Sequence, residues 1–229
     1  MVKNNISDLY NNLAVKYGFS YETLGGGGVY SKSQQEIKFN AAQPFIKNNS
    51  NILDVGCGFC HLYDFLKAKG FYGKYTGIDG AKNLVELAKN NHVEIEESIR
   101  HQTLEEYPRD SNHEVVCAIS VIQHQLNANN ENIENSIAKM FDIASEVVIF
   151  DIYLSGFSNG NYGYNAADCD GVYISGQNEG NYYCTGDEIA GASFIVIDNG
   201  QMTSAIAAIY KIEKIKFSSF GKKPEAAIL

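Results

Sequence analysis

The stretch Ile52-Leu53-Asp54-Val55-Gly56-Cys57-Gly58, followed by Gly77-Ile78-Asp79, constrains this chain more than any other. It predicts a buried strand, a glycine turn, a helix and a second buried strand that ends in a carboxylate. A glycine in the turn has no Cβ, so the backbone there can approach a ligand closely. The second carboxylate lies ~20 residues past the turn, where open α/β folds set an acid against a ribose diol. Turn and acid together predict a grip on a ligand that contains a nucleoside.

Details of the turn exclude the commonest nucleotide ligands. A dinucleotide site needs Gly-x-Gly-x-x-Gly, but His61 stands at the last position. A phosphate loop ending in Gly-Lys-Ser/Thr is absent, and no Lys or Arg follows the turn until Lys67. Asp54, two residues before the first glycine, repels phosphate and suits a ligand bearing an ammonium group.

Asp54-Val55-Gly56-Cys57-Gly58 resembles motif I of the class I S-adenosylmethionine-dependent methyltransferases, and Asp79 matches their ribose-binding acid. The resemblance covers roughly residues 35–155; Cys60 stands where the family has a third glycine. It implies S-adenosylmethionine as cofactor and assigns roles along the chain. Asp54 accepts from the cofactor ammonium, and the backbone N–H groups of Gly56, Cys57 and Gly58 face its amino-acid part. Asp79 takes the ribose hydroxyls, which a purely accepting carboxylate suits, and Gly80 leaves room for the nucleoside. Gln102 and Thr103 lie where the family meets the adenine amine. Ser120 reaches the methyl-donating end, and Lys38 sits where relatives carry a base near the cofactor carboxylate.

The remaining pattern supports an α/β, doubly wound, Rossmann-like sheet. Parallel strands are expected at 51–55, 75–79, 93–99, 114–120 and 146–153, with helices at 60–69, 81–90 and 131–144 between them. The resemblance implies seven strands in all, the last two, 194–198 and 205–212, forming a C-terminal antiparallel hairpin. Residues 1–34 read as an N-terminal helix (4–17) and a glycine-rich lid around Gly25-Gly26-Gly27-Gly28, with the cofactor-binding domain over 35–229. Ser33 and Glu36 predict a capping box at the start of a helix that runs to about residue 47, with Pro44 giving a kink or an early stop, lined inside by Ile37, Ala41, Phe45 and Ile46. Residues 155–183, rich in Gly, Asn and Tyr, read as an ordered loop facing the substrate.

Two side chains are candidates for proton transfer: His124, after the fourth strand, and Asp151, at the end of the fifth. A sulfonium methyl is already activated, so alignment and desolvation do most of the work. Cys57-x-x-Cys60 with His61 lacks the second half of a four-ligand metal site, because Cys117, Cys169 and Cys184 are scattered; no metal is expected.

Charge and motif elimination narrow the acceptor. A net charge of −9 disfavours a nucleic-acid partner. The only prolines are Pro44, Pro108 and Pro224, so the Pro-Pro-Tyr and Pro-Cys signatures of DNA methyltransferases are missing. No apolar run is long enough for a membrane span, and the five cysteines, lacking a disulfide framework, fit the cytoplasm. The expected activity is direct methyl transfer to a small molecule. The alternatives are cyclisation, elimination or aminocarboxypropyl transfer from the same cofactor, or cofactor binding without catalysis. A homodimer is compatible with this reading.

Overall fold

The computed structural model describes residues 6–28, 30–122 and 130–153, together with four later strands. One sheet of order β3-β2-β1-β4-β5-β9-β8-β7-β6 organises it. Its parallel half consists of β1 (Asn51–Val55), β2 (Lys74–Asp79), β3 (Ile99–His101), β4 (His113–Ala118) and β5 (Ala144–Tyr153). Strands β6 (Val172–Ser175), β7 (Asn181–Thr185), β8 (Ala192–Asp198) and β9 (Thr203–Tyr210) continue it antiparallel, β9 pairing with β5.

Alternation along the central strands builds the two helical layers. Val115 and Cys117 of β4 pack with Ile52, Tyr75 and Ile149 beneath Phe39 of α3 (Lys32–Ala42), Leu62 and Leu66 of α4 (His61–Ala68), and Val85 and Ala88 of α5 (Lys82–Asn91). Val116 and Ala118 turn the other way and meet Leu53, Ile78 and Val148 under Ile137, Met140 and Ile143 of α6 (Asn130–Ile143). A strand buried on both faces carries a continuous apolar run, and β4 does. Among the described residues no helix is long and apolar enough to cross a membrane.

The N-terminal residues are fastened to this body. Helix α1 (Ile6–Tyr17) lies along α5, where Asn11 Oδ1 accepts from the Asn83 backbone N–H at 2.8 Å. Ala14 of α1 joins Phe59, Ala81 and Leu84 in a separate apolar cluster, with Leu24 of the short α2 (Tyr21–Leu24) against it.

Several expectations need correction. The described sheet has nine strands, not seven, because β6 and β7 extend its antiparallel edge. Residues 93–99 do not form a strand: Val93–Ser98 is a 3-10 turn and β3 begins only at Ile99. The sequence Val-Glu-Ile-Glu alternates like a strand, yet Val93 is exposed and has no sheet neighbour to bury it. Ser31, not Ser33, caps α3, its hydroxyl accepting from the Gln34 N–H at 3.3 Å. Of the two outcomes expected at Pro44 the early stop is found: this helix ends at Ala42, and Pro44 sits in a following 3-10 turn. The inner face of α3 carries Phe39 and Ala42 with Ile37 and Ala41 packed beside them, and it also takes in Lys38, which an ion pair described below draws inward. Most of the 155–183 segment lies outside the described residues.

His92 gives this body a pH-sensitive fastening between α5 and α4. Its Nε2 faces Asp64 Oδ1 at 3.1 Å and its Nδ1 faces the Ala88 carbonyl at 2.9 Å. Two acceptors favour the imidazolium, so Asp64 above all, helped by Ala88, raises its pKa to about 9 against the opposing effect of burial. A raised folded-state pKa gives stability that is complete below the ordinary histidine value and is lost as pH rises toward 9. Urea unfolding between about pH 6.5 and 9 should therefore show a fall in stability that His92→Gln removes. An identical slope in the variant would mean that His92 stays neutral.

Candidate active site

Strand order reverses between β1 and β4, and the crevice outside their carboxyl ends is where open α/β sheets bind ligands. Asp54, Gly56, Cys57, Ile119 and Ser120 line a pocket there, closed on its other side by Gln35 and Phe39 of α3 and Leu62 of α4. It is small, enclosing about 300 Å³ including its mouth.

The glycines shape the turn. Gly56 and Gly58 have φ of +67° and +53°, which residues with a Cβ rarely adopt. A Cβ on Gly56 would lie 2.4 Å from Val121, so the chain leaving β4 packs directly against this turn. The turn N–H groups do not point to a ligand as expected. Gly56 and Cys57 both donate to the Ile78 carbonyl, at 2.7 and 3.0 Å, and Gly58 donates to Asp79 Oδ2 at 3.0 Å. The turn is thus stitched to the end of β2.

Two carboxylates flank it. Asp79 accepts from Gly58 N–H with one oxygen and from Ala81 N–H, at 2.8 Å, with the other. A carboxylate has about four acceptor positions, so each oxygen retains capacity for a further donor. Burial raises the Asp79 pKa, while the Ala81 and Gly58 N–H groups oppose that rise. Asp54, 4% exposed, accepts from the Tyr75 hydroxyl at 2.6 Å. Burial raises its pKa to about 7 despite that hydrogen bond, with the Asp79 charge adding to the rise.

Gly80, Gln102 and Thr103 gather beside Asp79. The Gln102 N–H donates to the Asp79 carbonyl at 3.0 Å, while its side-chain amide donates to the Glu106 carbonyl at 3.2 Å. A Cβ on Gly80 would sit 2.7 Å from Ser7 Oγ of α1 and 3.3 Å from Thr103 Cγ2, so a larger residue would have to displace the Ser7 side chain. Leu24 likewise lies 3.0 Å from the position of a Cβ on Gly58. Helices α1 and α2 thereby cover the crevice. Lys38 is not part of the pocket lining; its Nζ donates to Ser120 Oγ and to Asp151 Oδ2, both at 2.7 Å. Asp151 is fully buried, and its other oxygen accepts from the Ser120 N–H at 2.5 Å. His124 falls outside the described residues.

The structure therefore brings Asp54, Gly56, Cys57 and Ser120 into one pocket and Gly58, Asp79, Gly80, Gln102 and Thr103 into an adjoining group. Sequence reasoning missed Gln35, Phe39, Tyr75 and Ser7. Of these Tyr75 alone carried a signal: Ile52 pairs with Tyr75 across β1 and β2, which sets the tyrosine on the same sheet face as Asp54.

Asp54 makes this site testable without any ligand. Its folded pKa lies above its unfolded value, so stability is complete below about pH 4 and falls as pH rises toward 7. Asp54→Asn should remove that fall, gaining up to ~4 kcal/mol relative to wild type by pH 8. Parallel stability curves for the two proteins across this range would show instead that Asp54 ionises normally.

Residues 52–146 match the family model described as a methyltransferase domain. A stretch of 49 residues is 47% identical to the candidate methyltransferase Rv1506c of Mycobacterium tuberculosis, covering 21% of this chain and 26% of that protein. The chain thus spans about a quarter of that relative. Among solved structures, magnesium protoporphyrin IX methyltransferase from Synechocystis PCC 6803, with bound adenosylhomocysteine, superposes with a TM-score of 0.60 at 14% identity over 90% of this chain and 98% of the other. The N-methyltransferase NodS from Bradyrhizobium japonicum WM9 gives 0.57 at 9% identity over 89% and 98%. At these identities the likeness establishes the fold.

Proposed function

We propose that this chain, whose residues 52–146 match the methyltransferase domain model and whose fold is that of class I S-adenosylmethionine-dependent methyltransferases, transfers a methyl group from that cofactor to a small molecule. The observation that carries the proposal is the pair of carboxylates at the tips of β1 and β2, Asp54 buried and Asp79 half-buried, joined by the glycine turn. Both fit the cofactor. Asp79 has acceptor capacity left for a ribose diol, and Asp54 is a buried acid that an ammonium partner would ionise.

Bound S-adenosylmethionine supplies a methyl carbon on a sulfonium sulfur. The chain supplies binding and geometry. Asp79 holds the ribose, and Asp54 holds the amino end. The wall formed by Gly56, Ile119 and Ser120 borders the transferring end, while residues 6–28 exclude water from above. These residues would hold the acceptor atom in line with that methyl carbon, which the sulfonium would make electrophilic. The acceptor's proton leaves to solvent or to a base such as His124. Asp151 is unsuited to that task, because both its oxygens are engaged by Lys38 and Ser120.

A small acceptor is supported by the net charge of −9, which repels polyanions, and by the cover that narrows the crevice. It is supported further by the likeness to an enzyme named for acting on magnesium protoporphyrin IX.

Calorimetry with adenosylhomocysteine tests the cofactor assignment. Asp79→Ala should weaken binding by ~1–3 kcal/mol, and an unchanged dissociation constant would remove Asp79 from the ribose site. Because the ionised form of Asp54 binds the ammonium, wild-type affinity should rise from about pH 6 to about pH 7.5 with release of a proton, seen as a buffer-dependent enthalpy. Asp54→Asn should abolish that release; its persistence would place the titrating group elsewhere. Methylthioadenosine formed from S-adenosylmethionine alone would favour elimination over methyl transfer.

A further inference from the structure

Beyond the two carboxylates, one group of side chains in the described residues stands apart from the pocket lining yet is tied to it. Lys38 of α3 and Asp151 of β5 are 113 residues apart in sequence and form a buried ion pair, their side chains 9% and 0% exposed. Both partners also grip Ser120. Lys38 Nζ donates to its hydroxyl at 2.7 Å, and Asp151 accepts from its backbone N–H at 2.5 Å. Tyr30 brings its hydroxyl to the same serine.

Ser120 needs this grip. Its φ is +62°, and it is one of two described residues other than glycine with a positive φ. A residue with a Cβ rests there only when its surroundings enforce it. The turn made at Ser120 has a consequence next door: it directs Val121 onto Gly56 and leaves Ile119 and Ser120 as pocket wall.

We propose that Lys38 and Asp151 are positioning residues, which hold Ser120 in its left-handed conformation and so set the pocket wall opposite Gly56. They act through Ser120 and touch no part of the cofactor. This inference rests on the cofactor site proposed above. It also reassigns Lys38, expected near the cofactor carboxylate, and Asp151, expected as a base.

Glycine separates positioning from direct contact, because it adopts φ near +62° without support. The double variant Lys38→Met with Asp151→Asn removes both charges together, so neither is left buried alone. In the full chain it should keep its circular dichroism spectrum and bind adenosylhomocysteine ~10-fold more weakly. Adding Ser120→Gly to the double variant should restore most of the affinity. Wild-type affinity in the double variant overturns the proposal. So does failure of glycine to rescue, which would mean that Lys38 or Asp151 meets the ligand directly.

If the double variant does not fold, single substitutions decide. Ser120→Val, whose branched side chain resists the left-handed region, should bind ~10-fold more weakly than Ser120→Gly. Equal binding by the two overturns the proposal. If wild type itself binds no adenosylhomocysteine, the cofactor reading fails, and amide exchange still tests the clamp. Exchange of the Ser120 N–H should be slow in wild type and at least ~10-fold faster in Asp151→Asn; equal rates overturn the clamp.

Discussion

The Asp79 carboxylate holds two backbone N–H groups at once, one from the turn after β1 and one from the start of α5. This interaction fixes the separation of the first two strand tips, and the candidate site is built on it. Gly56 and Cys57 reinforce it by sharing the Ile78 carbonyl. The turn is rigid for a structural reason before any ligand arrives. Its remaining function is to present two acids and a glycine surface at a fixed spacing, which is the preorganisation a cofactor site requires.

Burial gives the two acids different characters. Asp79 keeps two amide donors, which favour its charged form against desolvation. Asp54 has the Tyr75 hydroxyl as its described partner and is pushed to about 7. A carboxyl that costs free energy to ionise in the empty site recovers that free energy when a cation arrives. In the proposed site Asp54 would respond to positive charge, ionising as an ammonium group arrives beside it. The cover formed by α1 and α2 works in the same direction, since excluding water strengthens charge interactions beneath it.

Legibility in the sequence followed the locality of the cause. Strand β1 was read to the residue because an apolar run between Asn51 and Gly56 has both its ends marked. The 3-10 turn at Val93–Ser98 was misread because two apolar residues alternating with glutamates satisfy a strand pattern, and only the missing neighbour strand says otherwise. The cap of α3 slipped by two because Ser31 and Ser33 are equivalent in isolation. The role of Lys38 is not legible in the sequence for a different reason. It is set by a partner brought in by tertiary structure, Asp151 from β5. A motif can reveal which residues meet the ligand, but not which distant residues hold them there.

A crystal structure with adenosylhomocysteine tests the central claim most directly. The account predicts the ribose hydroxyls on the free sides of the Asp79 oxygens and the amino group beside Asp54, with the sulfur near the wall formed by Gly56 and Ser120. A nucleoside bound away from Asp79, or a crevice still filled by Leu24 and Ser7 at saturating ligand, would contradict it.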